Sequence, residues 1–192
     1  MHAVTIAAAP EYVWPWLVQM GSGRGGWYSY DWVDNDGRPS ATQIIPEFQN
    51  LAVGDIMPSL PGATDQFVVA AIEPFRDLVL TVRAADGTIL VSWEFFLGAI
   101  EGPHTRLLVR GRVGTQWPDG GGKPPRSPRP IERVYQLLAI IPRWLMVPVA
   151  MFGHGVMQVR QLRGIKRRAE EFNLQRGTSS DPRSSSTSAV GE

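Results

Sequence analysis

The stretch "WPWLVQMGSGRGGWYSYDW", residues 14 to 32, sets four tryptophans and two tyrosines around a glycine-rich core. Glycine-rich loops cradle phosphates when their N–H groups open a helix directly after a strand. Here the glycines follow a helical pattern, no Gly-Lys-Ser/Thr ends the run, and aromatic residues come next. Phosphate chemistry is therefore disfavoured. The plain reading is a glycine helix stop leading into core aromatics. The functional reading is a mobile gate in which Trp27, Tyr28, Tyr30 and Trp32 border a cavity mouth, each offering an apolar body with a polar tip.

The titratable residues promise less. His2, His104 and His154 share no ligand-type spacing, so no metal site is expected. His154, flanked by glycines in "FGHGVM", is placed to point into a cavity, although a lone helical histidine is more often structural. Glu94 faces away from Trp93 and Phe95 on a period-two count and is expected to pair with Arg110 or Arg112 on the next strand. Asp31 and Asp34 flank Trp32 and read as turn residues, with ligand contact the rarer alternative. Arg160, Arg163, Lys166, Arg167 and Arg168 crowd the end of a helical segment, where cations complement the helix dipole. A weak peripheral contact with an anionic membrane is the minority reading of that cluster. No catalytic pair stands at convincing spacing.

Bulk composition sets the class. The 192 residues are 43% hydrophobic and 19% charged, which is globular, and a net charge of +1 gives no reason to expect a nucleic-acid partner. There is no cysteine, hence no disulfide, thiol nucleophile or thiolate metal site. No cofactor is implied. The N-terminus lacks a signal-peptide pattern. The most apolar segment, 134 to 157, is broken by Gln136, Pro142, Arg143, Pro148 and His154 and is too interrupted to cross a membrane. A cytoplasmic protein is the simplest expectation. Residues 1–173 suit one domain, and the Ser-rich 174–192 read as a disordered tail.

The elements that would position these residues follow from periodicity. "HAVTIAA" is a short β-rich run, and Pro10 opens a short helix with Val13, Trp14, Leu17 and Val18 on one stripe, a kink at Pro15 and a stop at Gly21. Residues 34 to 62 read as loops with one possible strand. "QFVVAAIEP", "DLVLTVRAA", "TILVSWEFFLGAI" and "TRLLVRGRVGTQW" are strands in an antiparallel meander. From 131 to 173 apolar residues step by three or four through Val134, Leu138, Ile141, Leu145, Val149, Phe152, Val156, Val159, Leu162, Ile165, Ala169 and Phe172, predicting one long helix kinked at Pro142 and Pro148. A sheet with one solvated face needs cover on the other, and this helix is the available cover. The class is α+β.

That order, together with "APEYVWPWLVQMGSGRGGWYSYDWV", the "IIPEFQNLAVGD" segment and the terminal "GIKRRAE", resembles the START-like, or SRPBCC (Bet v 1-like), superfamily over residues 3 to 173. It is most similar to bacterial members labelled polyketide cyclase/dehydrase and lipid-transport proteins. Met1 lies almost on the first strand, where such relatives often carry a further segment; a short strand or a truncated start is expected. The resemblance implies a helix-grip fold, a curved antiparallel sheet wrapped around the C-terminal helix with an internal hydrophobic cavity. It implies a carrier or sensor of a hydrophobic small molecule such as a lipid or polyketide, and turns the aromatic loop into a lid. The expected lining is Trp27, Tyr28, Tyr30 and Trp32, then Phe67, Val69, Trp93, Phe95, Leu107 and Val109 from the strands, and Leu145, Val149, Phe152 and His154 from the helix. The alternatives are a cyclase or dehydratase using His154 or Tyr30 as acid/base, and a module that docks a partner protein through its aromatic loop.

Overall fold

The computed structural model describes residues 1–60, 66–114 and 143–179, with the side chains of 148, 149 and 151–176 in the last segment. Six strands form one antiparallel sheet: β1 (His2–Ile6), β2 (Ile56–Pro58), β3 (Gln66–Glu73), β4 (Asp77–Arg83), β5 (Ile89–Ile100) and β6 (His104–Val113). Their order is β1-β6-β5-β4-β3-β2, so β3 to β6 are the expected meander, β2 extends it from the 34–62 segment and β1 joins the far edge beside β6. Three helices complete the described fold: α1 (Pro10–Val18), a single turn α2 (Asp31–Asp34) and α3 (Arg143–Ser179). A 3-10 turn lies at Pro46–Phe48. This is an α+β architecture, an open antiparallel sheet with a C-terminal helix, and it fits a helix-grip arrangement.

Period-two alternation decides which strand face turns inward. Leu78 and Leu80 of β4, Trp93, Phe95 and Leu97 of β5, and Leu107 and Val109 of β6 are buried on one face. Cross-strand register lines them up in rows, Leu80↔Trp93↔Gly111 and Leu78↔Phe95↔Val109. Glu94 turns the other way and meets Arg110 at 3.5 Å, the expected surface pair. Register shifts at Val69/Ala71 and Val82/Arg83 mark bulges, which bend and twist strands.

One end of the inner face is filled from above. Helix α1, opened by Pro10 at its first position, buries Val13, Trp14, Trp16, Leu17 and Val18. The C-terminal half of α3 adds Leu162, Ile165 and Ala169 to the same core. Its cations tie the helix down rather than merely balancing its dipole. Lys166 Nζ donates to Thr5 O at 2.7 Å, Arg168 Nε to Ala41 O at 2.7 Å, and Arg160 Nε to Ser29 O at 2.8 Å.

Two expectations for α3 need correction. Val149, Phe152, Val156 and Val159 are exposed, not inward. From Val149 to Phe172 the apolar stripe takes seven steps in 23 residues, whereas seven turns at 3.6 residues need about 25, so the stripe drifts roughly 220° around the axis. Its two halves therefore face opposite ways. The helix also runs on past residue 173, with Asn173 Nδ2 donating to Ala7 O at 3.3 Å and Arg176 lying over the Phe172 ring at 5.1 Å. The expected positions Val134, Leu138, Ile141 and Pro142, and the tail from 180, lie outside the described residues; so does the Leu145 side chain.

Close approach of α3 to the loop after α1 depends on Gly164. A Cβ there would stand 2.4 Å from Tyr28 O, backbone that cannot yield cheaply. Gly153, on the same helix, has open space around it. Gly164→Ala is thus expected to lower stability by about 1–3 kcal/mol through overpacking, although alanine is the better helix former. Gly153→Ala should raise it by up to ~1 kcal/mol. Urea midpoints of the two variants check the opposite signs.

Candidate functional site

The backbone donors of the glycine-rich loop decide whether it can hold an anion. Gly21 N donates to Gly26 O at 3.2 Å and Gly26 N to Gly21 O at 3.0 Å, closing a small antiparallel bridge. Ser22 N donates to Pro58 O, Gly23 N to Asn35 Oδ1, Arg24 N to Gly21 O and Gly25 N to Gln19 O. Every N–H from 21 to 26 has a protein acceptor. Nothing is left for a phosphate.

Gly21, Gly25 and Gly26 are also hemmed in by their neighbours, whereas Gly23 stands in open space. A Cβ on Gly26 would lie 2.3 Å from Ser40 Oγ, and its φ of +78° suits glycine. The residue is small because the 40s segment crosses it. Arg24 folds back to donate to Met20 O at 3.1 Å and Val18 O at 2.9 Å, acceptors at the end of α1, and stacks on Phe48 at 4.4 Å. Gln19, fully buried, accepts from Ile45 N at 2.9 Å and donates to Gln43 O at 3.2 Å. The loop is a packed junction that sends Trp27 in one direction and α2 in another.

At the other end of the inner sheet face α3 leaves a cavity of about 360 Å³. Four of the expected lining residues meet there: Trp27, Phe67, Trp93 and His154. Trp27 stacks on Trp93 at 5.3 Å with 29° between planes, and Phe67 lies 5.6 and 5.3 Å from the two rings. Both indole N–H groups are engaged: Trp27 Nε1 donates to Ser59 O at 2.9 Å, and Trp93 Nε1 to Gln158 Oε1 at 3.0 Å. The rings therefore present apolar faces. Gly111, opposite Trp93 on β6, leaves that row of the sheet without a side chain and makes room for the His154 ring. His154 packs edge-on to Trp93 at 5.4 Å while keeping an exposed side. Desolvation of the ring, with His2 nearby, holds its pKa below the ordinary histidine value.

The remaining expected residues lie elsewhere. Phe95, Leu107, Val109 and Val69 belong to the filled core. Tyr28 is buried against Trp16, its phenol pKa pushed up by burial, and with Tyr30 it lines a separate basic hollow beside Arg160, Arg163 and Arg167. Trp32 is 70% exposed because α2 carries it outward. Val149 and Phe152 stand on the outer side of α3.

Sequence reasoning passed over Met157, Gln158 and Gln161, which line the cavity from α3; Asp34, read there first as a turn residue with ligand contact as the rarer alternative, lines it too. Asp34 is 2% exposed, and neither of its oxygens has a hydrogen-bond partner. Burial first, and the nearby Asp31 charge second, push its pKa up to about 7; backbone N–H groups and Arg160 oppose this only in part. Asp31, by contrast, is the turn residue expected, accepting from Ser40 N and Ser40 Oγ. The sequence signal for Asp34 was its place beside Trp32 in the aromatic loop, which favours a turn residue and leaves ligand contact second. Among the described residues no group of three or more histidines or carboxylates is placed to hold a metal ion.

The carboxyl has a measurable consequence. A folded pKa raised above the unfolded value means the native state holds a proton that the unfolded chain has released. Stability is then lost as pH rises from about 4 to about 7 and is flat above. Asp34→Asn should be more stable than wild type at pH 8, with the gain shrinking toward pH 4. Thermal melts of both proteins across that range check it.

No family model matches the sequence, and no curated protein matches it. Two solved structures match the chain over most of its length. Protein MLL2253 from Mesorhizobium loti is 18% identical, covering 91% of this chain and 98% of that one at a TM-score of 0.38. CalU16 from Micromonospora echinospora is 15% identical, covering 90% and 83% at a TM-score of 0.35.

Proposed function

We propose that the chain is a START-like relative that binds a hydrophobic small molecule between its sheet and α3. One observation carries the reading: an aromatic-walled cavity of about 360 Å³ where the helix leaves the sheet uncovered. That volume and mix of apolar walls with a few polar groups is the usual form of a small-molecule site. Affinity would come from apolar area removed from water, at ~25 cal/mol per Å², and the stacked Trp27 and Trp93 offer flat surfaces for rings or chains. A lipid or polyketide-like molecule has the right character. Among the described residues no helix is long and apolar enough to cross a membrane, so such a ligand would be held within this domain.

A second reading, acid/base catalysis on the bound molecule, is favoured by one further fact. Asp34 and His154 line the same cavity with pKa values displaced toward each other's range, a pattern common at catalytic sites. Tyr30, the other acid/base candidate, lies outside the cavity.

Native mass spectrometry of freshly purified protein is expected to show a non-covalent adduct, whose extraction names its class. Val91→Trp, which fills the cavity from β5, should remove the adduct while leaving the melting temperature within a few degrees (~1 kcal/mol or less). A clean apo mass, with tryptophan fluorescence unmoved by octyl-chain compounds, would reject the carrier reading.

A further inference from the structure

Asp34 closes α2 and is one of the residues that line the cavity; it is 2% exposed, and both carboxyl oxygens are buried without a hydrogen-bond partner. The cavity's other buried polar groups are engaged. Ser29 Oγ donates to Met157 O at 3.1 Å, Gln158 Nε2 to Gln161 Oε1 at 2.7 Å, and both tryptophan N–H groups are bonded. A buried polar group left unpartnered is costly, and folded proteins contain few of them. We propose that Asp34 is the polar anchor of the cavity, and that the ligand is an apolar molecule with one hydrogen-bond-donating head, a hydroxyl or an amine, seated on the two carboxyl oxygens. The inference rests on the ligand-cavity reading and names the chemistry of its ligand.

The charges around Asp34 agree with such a head. Asp31, from α2 itself, is tied to Ser40. Arg160, from α3, donates to Ser29 O and lies over the Tyr30 ring at 4.4 Å, close enough to act on Asp34 through space but not bonded to it. His154 and Arg112 line the same cavity, Arg112 with its side chain exposed. A hydroxyl proton or an ammonium completes the carboxylate. A carboxylate head meets like charge, and an ether oxygen brings no proton.

The test is a matched set of probes: 1-octanol, octylamine, octyl methyl ether and octanoate, titrated at pH 8 and followed by tryptophan fluorescence. Octanol and octylamine should bind about tenfold or more tightly than the ether and octanoate. In Asp34→Asn the octylamine advantage should fall away. Equal affinities across the set, tightest binding of octanoate, or an unchanged ranking in Asp34→Asn each overturn the anchor. The wild-type carboxyl gives an independent reading. In a carbon-detected NMR titration, saturating octylamine should lower the Asp34 midpoint by about one unit or more, and the ether should not. A midpoint unmoved by bound octylamine overturns the proposal without any variant. Failure of all four probes to bind rejects the cavity reading and the anchor with it, whereas equal binding removes the anchor alone.

Discussion

The inner face of the sheet must be covered, and the helix that covers it is apolar on the right side for only part of its length. That mismatch shapes the rest of the molecule. Where Leu162, Ile165 and Ala169 face the strands, helix, α1 and sheet close into a continuous core. Among the described residues N-terminal to these, Met151, His154, Met157 and Gln158 line the cavity, while Phe152 and Val156 are exposed. Apolar burial is the main favourable term in folding, so a helix that stops supplying it leaves space beneath. The cavity is what remains.

Filling one end firmly is what allows the other to stay open. Arg24, Gln19 and the bridge between Gly21 and Gly26 fasten the end of α1 to the 40s segment. Arg160, Lys166 and Arg168 fasten α3 to three separate stretches of backbone carbonyls. Hydrogen bonds from charged donors are among the stronger ones available to a fold. They tie α3 to β1 and to the loops after α1 and α2. The cations at the helix end are thus structural ties first, which leaves the membrane-contact reading with fewer free charges.

The polar content of the cavity follows the same logic. Trp27 and Trp93 give their N–H groups to Ser59 O and Gln158 Oε1, keeping their ring faces apolar. Asp34 is the exception, a carboxyl held at the wall with no partner. A low-dielectric site raises the cost of its charge and makes any incoming donor more valuable. Stability given up at such a position is the usual mark of a site shaped for something other than folding.

Much was determined by the sequence alone. Alternation set the strands β3 to β6 and the inward faces of β5 and β6, because a period of two depends only on the local backbone; it left Arg110 and Arg112 both open to Glu94, and the register of the sheet chose Arg110. Pro10 and the apolar pattern after it marked α1, and the long stepped pattern marked α3. Trp27, Phe67, Trp93 and His154 were legible as aromatic and polar residues near one wall. Tertiary structure decided what local periodicity cannot carry. Small departures from 3.6 residues per turn accumulate along α3, so which half of its stripe faces the sheet depends on where the helix is anchored. Whether the GSGRGG donors are open depends on partners such as Pro58 and Asn35, distant in sequence. Asp34 reads first as a turn residue by its neighbours alone; only the tertiary structure buries its carboxyl and leaves it unpaired.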